Sequence, residues 1–138
     1  MTTSGSSPRH STACVRVRYA ETDKMGVVYY ANYLVWFEVA RSEWLRQAGF
    51  TYSDLERDGR ILPVIEAHCE YLQPSRYDDV VEIAAAAKLL SPVRLRFDYE
   101  VRIGAGGPLA ATGWTEHAAV DNSGRLRRLP ANVRSLFE

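Results

Sequence analysis

Cysteine is scarce, long apolar runs are missing and neither sign of charge prevails. No uninterrupted apolar stretch approaches the roughly 18 residues that a spanning helix requires, so insertion into a membrane is not expected. The two cysteines, Cys14 and Cys69, stand far apart without C-x-x-C spacing. Neither a zinc site nor a disulfide framework is indicated, and a reducing, cytoplasmic setting is the simplest expectation. Seventeen basic side chains balance seventeen acidic ones, which withholds the field that nucleic acid or an anionic membrane would need. A G-x-S-x-G nucleophile elbow is absent, so His117 is expected to be structural or superficial. Gly104, Gly106 and Gly107 miss both phosphate-loop spacings and lie between two predicted strands, which reads as a hairpin turn.

What is present fits one ordinary domain: 138 residues, 46% apolar and 25% charged. Residues 1–12 are rich in Ser, Thr, Gly and Pro without an apolar core segment, and are expected to be a flexible tail preceding a single domain over 13–138. Alternation of Ala13, Val15, Val17 and Tyr19 with polar neighbours predicts a first strand over 13–19. Glu21 to Gly26 has loop composition. One long helix is expected from Asn32 to a stop at Gly49, because Tyr33, Phe37, Ala40, Trp44 and Ala48 recur at helical spacing. Local rules make Asn32 its N-cap. A short helical piece over 53–59 follows, and then four strands without another helix: 64–72, 79–90, 94–103 and 109–121.

This order predicts an α+β domain in which a five-stranded antiparallel sheet has only one long helix to wrap. Between Leu34 and Ala40 that helix is apolar almost all round, and an open sheet leaves edges. Both features predict a homo-oligomer.

Chemistry concentrates in the run from Tyr19 to Tyr33, where Asp23 stands on a loop shortly before the helix N-terminus. Free backbone N–H groups and a positive dipole there can hold a developing oxyanion beside an ionised carboxylate, the minimum for acyl transfer. Residue types alone nevertheless favour a capping role for such a carboxylate. Glu38 is expected to pair with Arg41 within the helix. Glu66, His68 and Glu70 share a strand face in a spacing that metal ligands can use, but a hydrated strand face gives the same pattern, and no metal is expected.

The run Y-x-E-T-D-x-M-G-V-V-Y-Y-A-N-Y-L-x-W-F-E-x-A-R-x-E-W-L resembles the signature of the hotdog-fold acyl-CoA thioesterases of the 4-hydroxybenzoyl-CoA thioesterase type, including their Tol-Pal-associated bacterial branch. The resemblance implies a hotdog fold, a dimer or dimer of dimers, an acyl-CoA substrate and no cofactor. It implies that Asp23 is the catalytic carboxylate, as nucleophile or general base, and that the Tyr30 main-chain N–H donates to the thioester carbonyl. It further implies that Tyr19 lies near the aspartate and that Gly26 and Val27 run close to the substrate. Tyr30 replaces a histidine of the Tol-Pal branch, which leaves only the main-chain role. The helix would also start a turn before Asn32. Arg76, Lys88 and Arg125, near sheet ends, are candidates for holding coenzyme A phosphates. An acyl-carrier-protein thioesterase and a non-catalytic acyl-binding protein remain alternatives, whereas a hotdog dehydratase would need a histidine that this segment lacks.

Overall fold

β1 (Ser11–Arg16) begins the computed structural model, which describes residues 10–138. The strand therefore starts inside the stretch expected as a tail, with Ser11 buried against the sheet. Residues 1–9 of that expected tail lie outside the described residues. The strand also ends earlier than its alternation suggested. The Glu21 carboxylate accepts the Arg18 N–H at 2.7 Å and Tyr19–Glu21 wind into a 3-10 turn, which takes the chain off the ladder after Val17.

The remaining elements are α1 (Asn32–Gln47), α2 (Tyr52–Arg57), β2 (Val64–Tyr71), β3 (Val80–Ser91), β4 (Arg94–Ile103), β5 (Leu109–Ala118) and α3 (Ala131–Arg134). The strands form one antiparallel sheet in the order β1-β3-β4-β5-β2. α1 lies on its inner face with Tyr33, Trp36, Phe37, Ala40, Trp44 and Leu45 buried, which is the predicted stripe. Each large side chain sunk there contributes about 1.5 to 3 kcal/mol of apolar burial. The sheet accepts the helix this closely because β5 carries Gly113. A Cβ there would stand 2.7 Å from the Phe37 ring and 2.4 Å from the His68 carbonyl. This is the expected hotdog arrangement.

Two departures concern the C-terminal part. β5 leaves the ladder after Ala118, and Val120 bridges instead to Ile61 and Leu126. α3 was not expected. It starts at Pro130, buries Val133 and leads through a 3-10 turn to Phe137, which stacks on Trp44 at 5.1 Å between ring centres. Four residues are too few for a periodic signal, so tertiary packing makes this helix.

A polar chain crosses the core. His117 Nδ1 lies 2.9 Å from the Leu62 carbonyl, which can only accept, so Nδ1 carries the proton and Nε2 is bare. Nε2 then accepts from the Thr115 hydroxyl (2.9 Å), Thr115 from Tyr99 (2.6 Å), and Tyr99 from the Arg41 guanidinium (3.5 Å). Burial drives the His117 pKa down to about 4, with the Leu62 carbonyl opposing the shift and the Arg41 charge adding to it. Arg41 reaches inward to Tyr99 and does not form the expected ion pair with Glu38, whose carboxylate stays exposed. An exposed ion pair three positions along the helix is worth little against water, so packing of the guanidinium against the buried Tyr99 decides its direction.

Among the described residues both sheet edges are open. β2 is exposed along nearly its whole length, and Leu34, Val35 and Val39 of α1 also face outward.

Candidate active site

The loop before α1 closes on itself around Asp23. Its N–H donates to the Val27 carbonyl (2.9 Å), its carbonyl accepts from Gly26 (3.0 Å), and its Oδ1 accepts from Met25 N–H (2.8 Å) and Val27 N–H (3.4 Å). Gly26 sits at φ +81°, a conformation that favours glycine. No atom lies within 4 Å of where its Cβ would be, so the residue is demanded by the turn and the space beside it is open. One carboxylate oxygen is thus committed to orienting the side chain. Oδ2 has no hydrogen bond among the described residues.

Glu21 ties this loop to the helix. Only 7% exposed, it receives Arg18 N–H and Trp36 Nε1 on its carboxylate, while its carbonyl accepts Tyr29 N–H (2.8 Å) and Asn32 Nδ2 (2.9 Å). Val28 N–H donates to the Ser75 carbonyl, and the Tyr33 and Ser75 hydroxyls meet at 2.6 Å. The loop is therefore held from both sides.

Asn32 is not the N-cap. Its side chain is spent on Glu21, and Ala31, which occupies the cap position, is already helical at φ −66° and ψ −21°. Asn32 N–H donates to Tyr29 and Tyr33 N–H to Tyr30, so winding reaches back past Asn32, as the resemblance implied. With no side-chain cap, the N–H groups of Tyr30 and Ala31 make no hydrogen bond among the described residues. Free amides at the start of a 16-residue helix can accommodate negative charge.

Asp23 borders two clefts. In the first, of about 300 Å³, it shares the wall with Val27, Tyr30, Tyr33, Tyr71 and Leu72. The second, of about 770 Å³, adds Tyr19, Lys24, Tyr29 and Asn32. Asp23, Val27 and Tyr30 are therefore brought together, with Gly26 in the same loop. Tyr19 stands on the far side of Asp23, 77% exposed, packed edge-on against Tyr77 and without a hydrogen bond to the carboxylate. Arg76 follows Ser75 at the same end of the sheet. Lys88 does not join them. It pairs with Arg96 seven positions along β3 from Val81, roughly 23 Å away at strand rise. Arg125 lies beyond the end of β5, at that opposite end too.

Glu66, His68 and Glu70 do share the outer face of β2, where His68 stacks on Trp114 at 5.7 Å. Among the described residues no group of three His, Cys, Asp or Glu side chains is placed to hold a metal ion, and no helix is long and apolar enough to cross a membrane. Sequence reasoning missed Glu21 and Tyr71. Glu21 stood inside the signature run as a visible signal. Tyr71 had none, because its hydroxyl reaches the Tyr30 carbonyl (3.0 Å) only through the fold.

A family model described as the thioesterase-like superfamily matches residues 17–137. YneP of Bacillus subtilis, provisionally named an acyl-CoA thioesterase, is 36% identical over 107 residues, 78% of this chain and 77% of its own length. The crystal structure of DHNA-CoA thioesterase from Staphylococcus aureus is 37% identical and superposes with a TM-score of 0.82, covering 87% of this chain and 80% of that one. A structure from Aquifex aeolicus, 34% identical, reaches 0.85 over 93% and 99%. The matched span holds the Asp23 loop, the whole of α1 and four of the five strands as well as α3, and the chain belongs to the thioesterase-like superfamily.

Proposed function

We propose that the protein hydrolyses acyl-CoA thioesters to a free acid and coenzyme A in the cleft between the Asp23 loop and β2. One observation carries the reading: a carboxylate with one oxygen pinned by its own loop borders the same cleft as Tyr30, and among the described residues neither its other oxygen nor the Tyr30 main-chain N–H has a hydrogen-bond partner. A thioester carbonyl docked on that amide would be polarised toward attack. Asp23 then either adds to the carbonyl carbon, giving an acyl anhydride that water opens, or takes a proton from the attacking water. In both routes the C–S bond breaks and the thiolate of coenzyme A leaves. The Tyr30 phenol is not needed, which fits its standing where the Tol-Pal branch has histidine.

The resemblance of the signature run and the names of the relatives support the substrate class. Three tyrosine rings and Leu72 around a small cleft suit a compact acyl group, such as the aromatic ones of the 4-hydroxybenzoyl-CoA type. Arg76 is the basic residue we assign to the coenzyme A phosphates, because it shares the Asp23 end of the sheet. Lys88 and Arg125 would reach a substrate only from a second copy of the chain. Exposed β2 supports pairing through that edge as a dimer, whereas the outward Val35 and Val39 stand beside Thr12, Ala13 and Cys14 of β1 at the other edge.

Thiol release measured across aromatic, short, medium and long acyl-CoA esters, beside the same acyl groups on a carrier protein, tests this reading. Turnover that prefers a compact CoA ester and vanishes in Asp23→Asn is expected. Preference for the carrier protein would redirect the substrate assignment, and acyl-CoA binding without thiol release would leave a binding protein.

A further inference from the structure

Tyr71, the last residue of the edge strand β2, lies 41 positions from Tyr30 in sequence, yet its hydroxyl donates to the Tyr30 carbonyl at 3.0 Å. Its ring stands edge-on to Tyr30 (6.3 Å between centres) and to Tyr33 (5.2 Å), so two neighbouring rings help fix the direction of that hydroxyl. The accepting carbonyl belongs to the peptide unit that joins Tyr30 to Ala31. The other end of that unit is the Ala31 N–H, one of the two amides at the helix start without an acceptor. A peptide whose carbonyl accepts a hydrogen bond is polarised, and its N–H becomes a better donor. Burial, with the neighbouring Cys69 as a smaller cause, lifts the Tyr71 phenol above its ordinary value, so it remains a donor at neutral pH.

We propose that Tyr71 is a positioning residue that orients and polarises the Tyr30–Ala31 peptide, making Ala31 N–H a second oxyanion donor beside Tyr30 N–H. The inference rests on the thioesterase reading and extends it from one donor to two. It also gives the edge strand a part in the reaction: β2 holds the start of α1 in register with the Asp23 loop, which Glu21 and Ser75 hold from the other side. Among the described residues Tyr71 is the one side chain bonded to a peptide of the free-amide pair.

Tyr71→Phe tests it, because the ring and its packing stay while the hydroxyl goes. The expected result is a kcat lowered about three- to tenfold, the worth of one neutral hydrogen bond, with KM within about twofold of wild type. A trifluoromethyl-ketone analogue of the acyl-CoA, which presents an oxyanion, should bind weaker by the same factor, whereas a thioether analogue without a carbonyl should bind unchanged. A purely structural Tyr71 would lower the melting temperature and weaken both analogues together. An unchanged kcat, or equal loss for both analogues, overturns the inference while leaving the Asp23 reading in place. If the wild-type chain turns over no acyl-CoA and Asp23→Asn changes nothing, the proposed function fails first and the second donor goes with it.

Discussion

The two ends of α1 treat polar groups in opposite ways. Under its second half every member of the chain from Arg41 through Tyr99, Thr115 and His117 to the Leu62 carbonyl has a partner, and the donors all run in one direction. At its start, two amides and one carboxylate oxygen have no partner among the described residues, on a loop that is otherwise heavily bonded. A buried polar group without a partner costs about 1 to 3 kcal/mol, and this polar chain completes its pairs, while the buried Trp44 indole N–H nearby has none among the described residues. The helix start is open to water, which makes free groups affordable there and available to a substrate. The proposed site thus combines rigid surroundings with unspent hydrogen bonds, whereas a closed network supports the other end.

Substitutions at either end should separate along this line. Asp23→Asn keeps the Oδ1 acceptor that closes the loop but removes the negative charge. Thiol release should fall by at least about 100-fold while the urea midpoint stays near wild type, since the partly buried side chain keeps its shape and its acceptor for the loop N–H groups. A parallel loss of stability would mean that Asp23 belongs with the supporting groups.

At the other end, the depressed pKa of His117 makes stability depend on pH. The folded state refuses a proton that the unfolded chain accepts near its ordinary value of 6.5. The contribution is therefore complete above about pH 6.5 and is lost as pH falls toward 4, by up to roughly 3 kcal/mol at lower pH. Urea unfolding at pH 7, 5 and 4 should show this loss in wild type and a flatter profile in His117→Gln. Identical profiles would break the comparison from the core side.

Gly113→Ala should cost about 1 to 3 kcal/mol, because the added methyl meets backbone as well as the Phe37 ring and cannot be relieved by a rotamer change alone. Thermal unfolding measures it, and kcat of the remaining folded protein should hold. The smallest effect is expected from Arg76→Ala, a rise in KM for a CoA ester of about two- to fivefold without change in kcat, as an exposed phosphate contact would give.

Much of this architecture was readable before any coordinates. The stripe Tyr33, Phe37, Ala40 and Trp44 announced α1, and alternation in Arg94–Ile103 announced β4 with its range. Asp23 stood out because a short-range pattern carries its own geometry. Errors arose where a side chain had a choice between a sequence neighbour and a distant one. Arg41 prefers Tyr99, 58 positions away, to Glu38 three positions away. Asn32 prefers the Glu21 carbonyl to capping. Lys88 and Arg76 looked alike as basic residues near sheet ends, and only strand register told the ends apart.

By itself, then, the sequence determined α1, α2, the five strands in outline and the loop that presents Asp23, since each depends on spacings of a few residues that backbone geometry translates directly, whereas α3 needed the folded core. Tertiary structure alone decided which amides stay free, that β2 ends with a hydroxyl on the first turn of α1, and which cation shares the site end. Those outcomes depend on pairings between residues dozens of positions apart, where the contacts made compete with all others the folded chain allows.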